Sequence, residues 1–88
     1  MKRIYKYQLS ITRVQEVVMP TGAKLLTAQM QGGMICVWAM VREGAELVKR
    51  RFSIVGTGHQ SDLSEKNYVG TVQDDGFVWH VFDDGEAY

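Results

Sequence analysis

Apolar and polar positions alternate through most of the chain. Tyr5, Tyr7, Leu9 and Ile11 interleave with Lys6, Gln8, Ser10 and Thr12, a period of two that predicts a half-buried strand. Arg13 to Met19 predicts a second strand, closed by the only proline in the turn signal Met19-Pro20-Thr21-Gly22. Leu26, Ala28 and Met30 then alternate with Thr27, Gln29 and Gln31. Gly32-Gly33 follows between two apolar runs, a two-residue hairpin loop in which φ > 0 carries no steric penalty. Leu47 to Val55 predicts another strand, with Arg50, Phe52 and Ile54 on one side. Gly56-Thr57-Gly58-His59-Gln60 opens a polar loop reaching to about Lys66, and Asp62 to Glu65 within it fits one short helical turn. Tyr68 to Val72, the turn Gln73-Asp74-Asp75-Gly76 and Phe77 to Phe82 predict a final hairpin, with Asp83-Asp84-Gly85-Glu86 as a solvated tail. No stretch sustains a 3.6-residue period.

Met34 to Val41 departs from this alternation because it is apolar on both faces. Ile35, Val37, Ala39 and Val41 lie on one side, and Met34, Cys36, Trp38 and Met40 lie on the other. Two dry faces require two covers. A chain of 88 residues leaves little material to supply both, so Met34, Cys36, Trp38 and Met40 are the candidate interface of a homo-oligomer.

About seven short strands in sequence-adjacent hairpins predict an all-β fold, a small antiparallel sandwich or barrel. Residues 1–88 form a single domain. Composition agrees with a globular chain, at 45% hydrophobic and 23% charged residues. Ten basic residues balance ten acidic ones, which argues against general nucleic-acid binding. No apolar run approaches the ~20 residues that span a bilayer. One cysteine excludes an internal disulfide and fits a reducing, cytoplasmic setting. Charge is uneven along the chain. Nine of the ten bases fall within Lys2 to Arg51 beside three acids, whereas one base and seven acids follow from Phe52 onward. Such polarity steers charged partners unless interleaved strands cancel it.

The residues offer little catalytic chemistry. A metal site needs three or four clustered ligands, and one cysteine, two histidines and turn-tip aspartate pairs give no such spacing; no cofactor or metal is expected. Cys36 lies in an apolar run, where a thiol stays protonated, and no serine stands in a nucleophile elbow. The chain therefore reads as a non-enzyme. His80 alternates with Val78 and Phe82 on a strand and reads as structural. The aromatic residues Tyr5, Tyr7, Trp38, Phe52, Phe77, Trp79 and Phe82 read mostly as core. The candidate ligand site is Lys49-Arg50-Arg51 running into Gly56-Thr57-Gly58-His59. Its glycines admit an anion to the backbone N–H groups, and its arginines supply two-pronged contacts to phosphate or carboxylate. A solvated basic edge beside a tight strand exit explains the same residues without a ligand.

The order of motifs also carries a resemblance. Ile4-Tyr5-Lys6-Tyr7, Val18-Met19-Pro20-Thr21-Gly22-Ala23 and Ile35-Cys36-Val37-Trp38-Ala39 occur in sequence. Arg51-Phe52-Ser53-Ile54-Val55-Gly56-Thr57-Gly58-His59 and Phe77-Val78-Trp79-His80-Val81-Phe82 follow them. Over nearly its whole length the chain resembles a family of short bacteriophage and prophage proteins that has no established activity. The resemblance implies a viral context in the bacterial host cytoplasm and carries over no catalytic residue. Three functional classes follow as expectations: a binding protein that occludes a host protein, such as a defence component; an oligomeric binder of an anionic or nucleotide ligand; and a structural or assembly component of the particle.

Overall fold

The computed structural model describes residues 1–59, 61 and 67–87. Seven strands run β1 (Lys2–Leu9), β2 (Val14–Pro20), β3 (Lys24–Gln31), β4 (Met34–Arg42), β5 (Leu47–Gly56), β6 (Tyr68–Asp74) and β7 (Phe77–Ala87). They form two antiparallel sheets, ordered β1-β4-β3 and β2-β5-β7-β6. The sheets stack face to face as a sandwich and do not close into a barrel. The expected all-β sandwich is thus the observed architecture. The helical turn expected at Asp62 to Glu65 lies outside the described residues.

Pairing is less local than the hairpin pattern suggested. Only β3–β4 and β6–β7 join neighbours in sequence. Elsewhere β1 skips to β4, setting Lys2 opposite Arg42 and Leu9 opposite Ile35, and β2 skips to β5, setting Val14 opposite Ser53. Each of the first two strands thereby becomes the edge of a different sheet.

The inner faces meet in one core. Tyr7 and Leu9 of β1, Ile35, Val37, Ala39 and Val41 of β4 and Ala28 of β3 pack against Met19, Phe52, Ile54, Val72 and Val81 of the other sheet. Phe52 is the largest of the fully buried side chains, and truncating such a residue to alanine costs about 3–5 kcal/mol. Where β3 and β6 approach, Gly70 lies so close to Ala28 that a Cβ on Gly70 would stand 3.2 Å from the Ala28 nitrogen.

The segment expected as a solvated tail is strand. The register of β7 shifts between its partners Arg51 and Phe52 of β5, which face Gly85 and Asp83. Gly85 adopts φ 91° there, a value glycine takes without strain. The ladder then resumes through Glu86 and Ala87, opposite Arg50 and Lys49. Asp83-Asp84-Gly85 has the composition of a turn, but it serves as a bulge because β5 extends far enough to pair beyond it.

Candidate interaction face

Alternation along β5 divides its basic run between two environments. Arg50 points inward with Phe52 and closes one end of the sandwich. Its Nε donates to Asp83 Oδ1 at 2.8 Å, its Nη2 to Asp83 Oδ2 at 2.6 Å, and its Nη1 to the Ala23 carbonyl at 3.0 Å. These bonds hold the guanidinium pKa above its ordinary value, chiefly through the hydrogen bond to Asp83, against the opposing cost of burial. Arg51 points outward and pairs with Glu16 of β2 at 3.2 Å. Lys49 lies on the same outward side, between Val18 and Ala87.

The Gly56–His59 loop leaves the far end of β5. Six residue steps of extended strand separate Arg50 from Gly56, a span of about 20 Å. The basic run and the glycine loop are therefore two places, and the structure does not bring them together around one ligand. The loop organises two other groups instead. His59 folds back over Gly56: a Cβ at Gly56 would come within 3.0 Å of the imidazole and 3.3 Å of the Trp79 ring. Phe77 stacks on Trp79 with centroids 5.9 Å apart, and a small cleft of about 270 Å³ opens between this stack and the loop. Gly58 takes φ 87° to turn the chain. On the outer side of the sheet, Thr57 Oγ1 lies 2.7 Å from His80 Nε2, and Thr71 Oγ1 lies 3.0 Å from His80 Nδ1. The Tyr68 hydroxyl extends this chain to Thr71 at 2.5 Å. Hydroxyls thus engage both nitrogens of His80.

Met34, Cys36, Trp38 and Met40 do share one face, the outer side of β4. Their lateral neighbours define its character. Lys2, Ile4, Lys6 and Gln8 face Arg42, Met40, Trp38 and Cys36 from β1, while Lys24, Thr27, Gln29 and Gln31 face Met40, Trp38, Cys36 and Met34 from β3. A β-bulge between Leu25 and Thr27 keeps both ends of β3 in this register. The result is an apolar stripe with long polar borders. Cys36 is 2% exposed although it points away from the core. Lys6 Nζ donates to Gln31 Oε1 at 2.5 Å, and by register that bond crosses β4 at the level of Cys36, forming a polar roof. The rest of the stripe stays open: Met34 is 39% exposed and Ile4 59%, with Trp38 and Met40 half-buried. Several residues read as core therefore lie elsewhere. Trp38 faces outward, Tyr5 and Phe77 are exposed at 44% and 64%, and Phe82 is buried on the outer side, where Tyr68 meets it edge-on at 5.7 Å.

The charge of this face is one-sided. Lys2, Lys6, Lys24 and Arg42 border the stripe, and no acidic residue occupies its register positions. The outer side of the other sheet carries exposed Val14, Val18 and Leu47 as well, but Glu16, Lys49, Arg51 and Asp84 mix both signs among them. Sequence reading found the stripe from the double apolar pattern of β4. It missed the cations, because only the β1–β4 crossover sets Lys2 and Lys6 beside it.

Among the described residues no group of three or more His, Cys, Asp or Glu side chains could hold a metal ion, and no helix is long and apolar enough to cross a membrane. No curated protein matches the chain, and no solved structure does. Its sequence matches, over residues 1–87, the model of the family described as Domain of unknown function (DUF7352), and the chain belongs to that family.

Proposed function

We propose that this protein is a non-enzymatic binding module whose outer β1-β4-β3 face covers the surface of another protein. The observation that supports this reading is the unlayered stripe of Ile4, Met34, Trp38 and Met40 inside a border of Lys2, Lys6, Lys24 and Arg42. Aromatic residues and methionine are favoured at the centres of interfaces, and exposed apolar patches with polar rims mark docking surfaces. A basic border selects a partner whose own apolar patch is rimmed by acids. Charge also weighs against pairing this face with its own copy, since a symmetric dimer would set four cations against four. The resemblance to phage and prophage proteins favours, as the partner, a host protein in the bacterial cytoplasm, defence components included, with occlusion as the mode of action.

The test uses the tagged full chain expressed in infected cells, followed by reconstitution with each purified candidate partner. A partner that binds saturably to the native chain, loses binding with Trp38→Asp and Lys24→Glu, and keeps it with Lys49→Glu supports the reading. Light scattering should give the mass of one chain for the isolated protein. Retention of binding by Trp38→Asp, or a salt-resistant dimer that this substitution dissociates, would refute it.

A further inference from the structure

We propose that the cleft at one end of this face is a binding site for a phosphate monoester. Lys2 stands directly opposite Arg42 in the β1–β4 ladder, and Lys24 stands opposite Met40 in the β3–β4 ladder. Three neighbouring strands therefore deliver three cations to the same side of one sheet. All three line a cleft of about 340 Å³, together with Gly22 and Met40.

Among the described residues these charges are uncompensated. Arg3 pairs with Glu43, Arg50 with Asp83 and Arg51 with Glu16, but Lys2, Lys24 and Arg42 have no ion-pair partner among the described residues. The acids in the adjoining turns do not fill the gap. Glu43 is held by Arg3, Glu86 accepts from the Thr21 hydroxyl, and Glu46 makes no ion pair with any of the three cations among the described residues. Like charges directly opposite in an antiparallel pair repel, so Lys2 against Arg42 is a local cost that an anion would remove.

A phosphate monoester suits the arrangement better than a carboxylate. It carries a charge of about −1.5 to −2 at neutral pH and three acceptor oxygens. Arginine grips such an oxyanion with two parallel bonds, while lysines act as point charges from either side. Met40 provides an apolar wall for the group that bears the phosphate. The site shares Lys2, Lys24, Arg42 and Met40 with the protein-binding face but goes beyond that reading, and it uses none of the contacts of Trp38.

The experiment follows backbone amides and the Trp38 indole of the isotopically labelled full chain by NMR. Inorganic phosphate, phosphoserine and a nucleoside monophosphate are titrated at constant ionic strength, with chloride and sulfate as controls. Saturable shifts should be confined to Gly22, Lys24, Arg42 and Ala45. Lys24→Gln and Arg42→Gln should each weaken binding roughly tenfold or more, while Lys49→Gln leaves it unchanged with all three variants folded. Tighter binding of the nucleoside monophosphate identifies a nucleotide as the source of the group, and tighter binding of phosphoserine identifies a phosphorylated peptide; either supports the site. Absence of shifts, equal response to chloride, or binding that survives the Lys24→Gln/Arg42→Gln double substitution overturns it, whereas the protein-binding reading is tested separately by the response of a partner to Trp38→Asp.

Discussion

Arg50 and Asp83 meet in a two-pronged ion pair at the end of the sandwich, with side chains 13% and 16% exposed. The guanidinium also ties β5 to the β2–β3 turn through the Ala23 carbonyl. Breaking a fully buried pair on one side costs about 3–5 kcal/mol, and this pair is partly wet. Arg50→Ala should therefore lower stability by about 2–3 kcal/mol in denaturant unfolding, and Asp83→Asn by somewhat less. The double substitution should cost less than the two singles together; strict additivity would mean that the pair does not couple.

Alkaline pH should weaken the fold through Tyr7 before Arg50 loses its proton. Burial raises the Tyr7 phenol above its ordinary value of 10.0, with the nearby Tyr5 adding to the effect. A raised folded pKa means that the folded state holds its proton more tightly. The associated stability is complete below pH 10 and is lost as pH rises through the folded value. Arg50 is also raised above its ordinary value, chiefly by its hydrogen bond to Asp83, so its contribution persists to still higher pH. Unfolding free energy measured from pH 8 to 11 should be level at first and then fall, and Tyr7→Phe should flatten the fall. A decline of equal slope in Tyr7→Phe would assign it to another group.

Gly70 marks a close approach of the two sheets along their β3–β6 side. An added Cβ would meet the Ala28 nitrogen at 3.2 Å, its Cβ at 3.3 Å and its carbonyl oxygen at 3.4 Å. Backbone atoms at such distances yield only if the sheets part. Gly70→Ala should cost about 1–3 kcal/mol, as overpacking of a filled interior does, and should lower the thermal midpoint. A midpoint equal to that of the native chain would show that the sheets slide apart freely.

Cys36 offers a chemical reading of the polar roof over β4. Its thiol faces outward, donates to the Met34 carbonyl at 3.8 Å and lies beneath the Lys6–Gln31 bond. A disulfide reagent should label it slowly in the native protein, and Lys6→Ala or Gln31→Ala should accelerate labelling severalfold without changing the unfolding midpoint. Unaltered labelling rates would mean that access is governed by opening of the whole sheet.

The elements of the fold were legible because each strand carries its own signal. Gly32-Gly33 and Asp75-Gly76 specify their hairpins through residues that accept positive φ, at 59°, 78°, 50° and 93°. Local pattern does not specify partners between distant strands, so the β1–β4 and β2–β5 crossovers stayed hidden. The same limit decided the site. The stripe of Met34, Cys36, Trp38 and Met40 follows from alternation within one strand, whereas its neighbours Lys2 and Lys24 follow only from pairing. Lys49, Arg50 and Arg51 attracted notice as a run, yet alternation sends Arg50 inward to Asp83. Asp83-Asp84-Gly85 shows the converse case, in which turn-forming residues serve a bulge because the partner strand continues beyond them.

The crossed strand order also governs how the protein is made. As the chain leaves the ribosome, β1 and β2 emerge before β4 and β5, their ladder partners. The β3–β4 hairpin can zip up locally, but β1 must wait until the chain has reached Arg42. Contacts between residues far apart in sequence slow folding, and unpaired strand edges invite association in the interval. Lysines at positions 2 and 6 place charge on that waiting ribbon, and charge on an edge discourages its recruitment by other nascent chains.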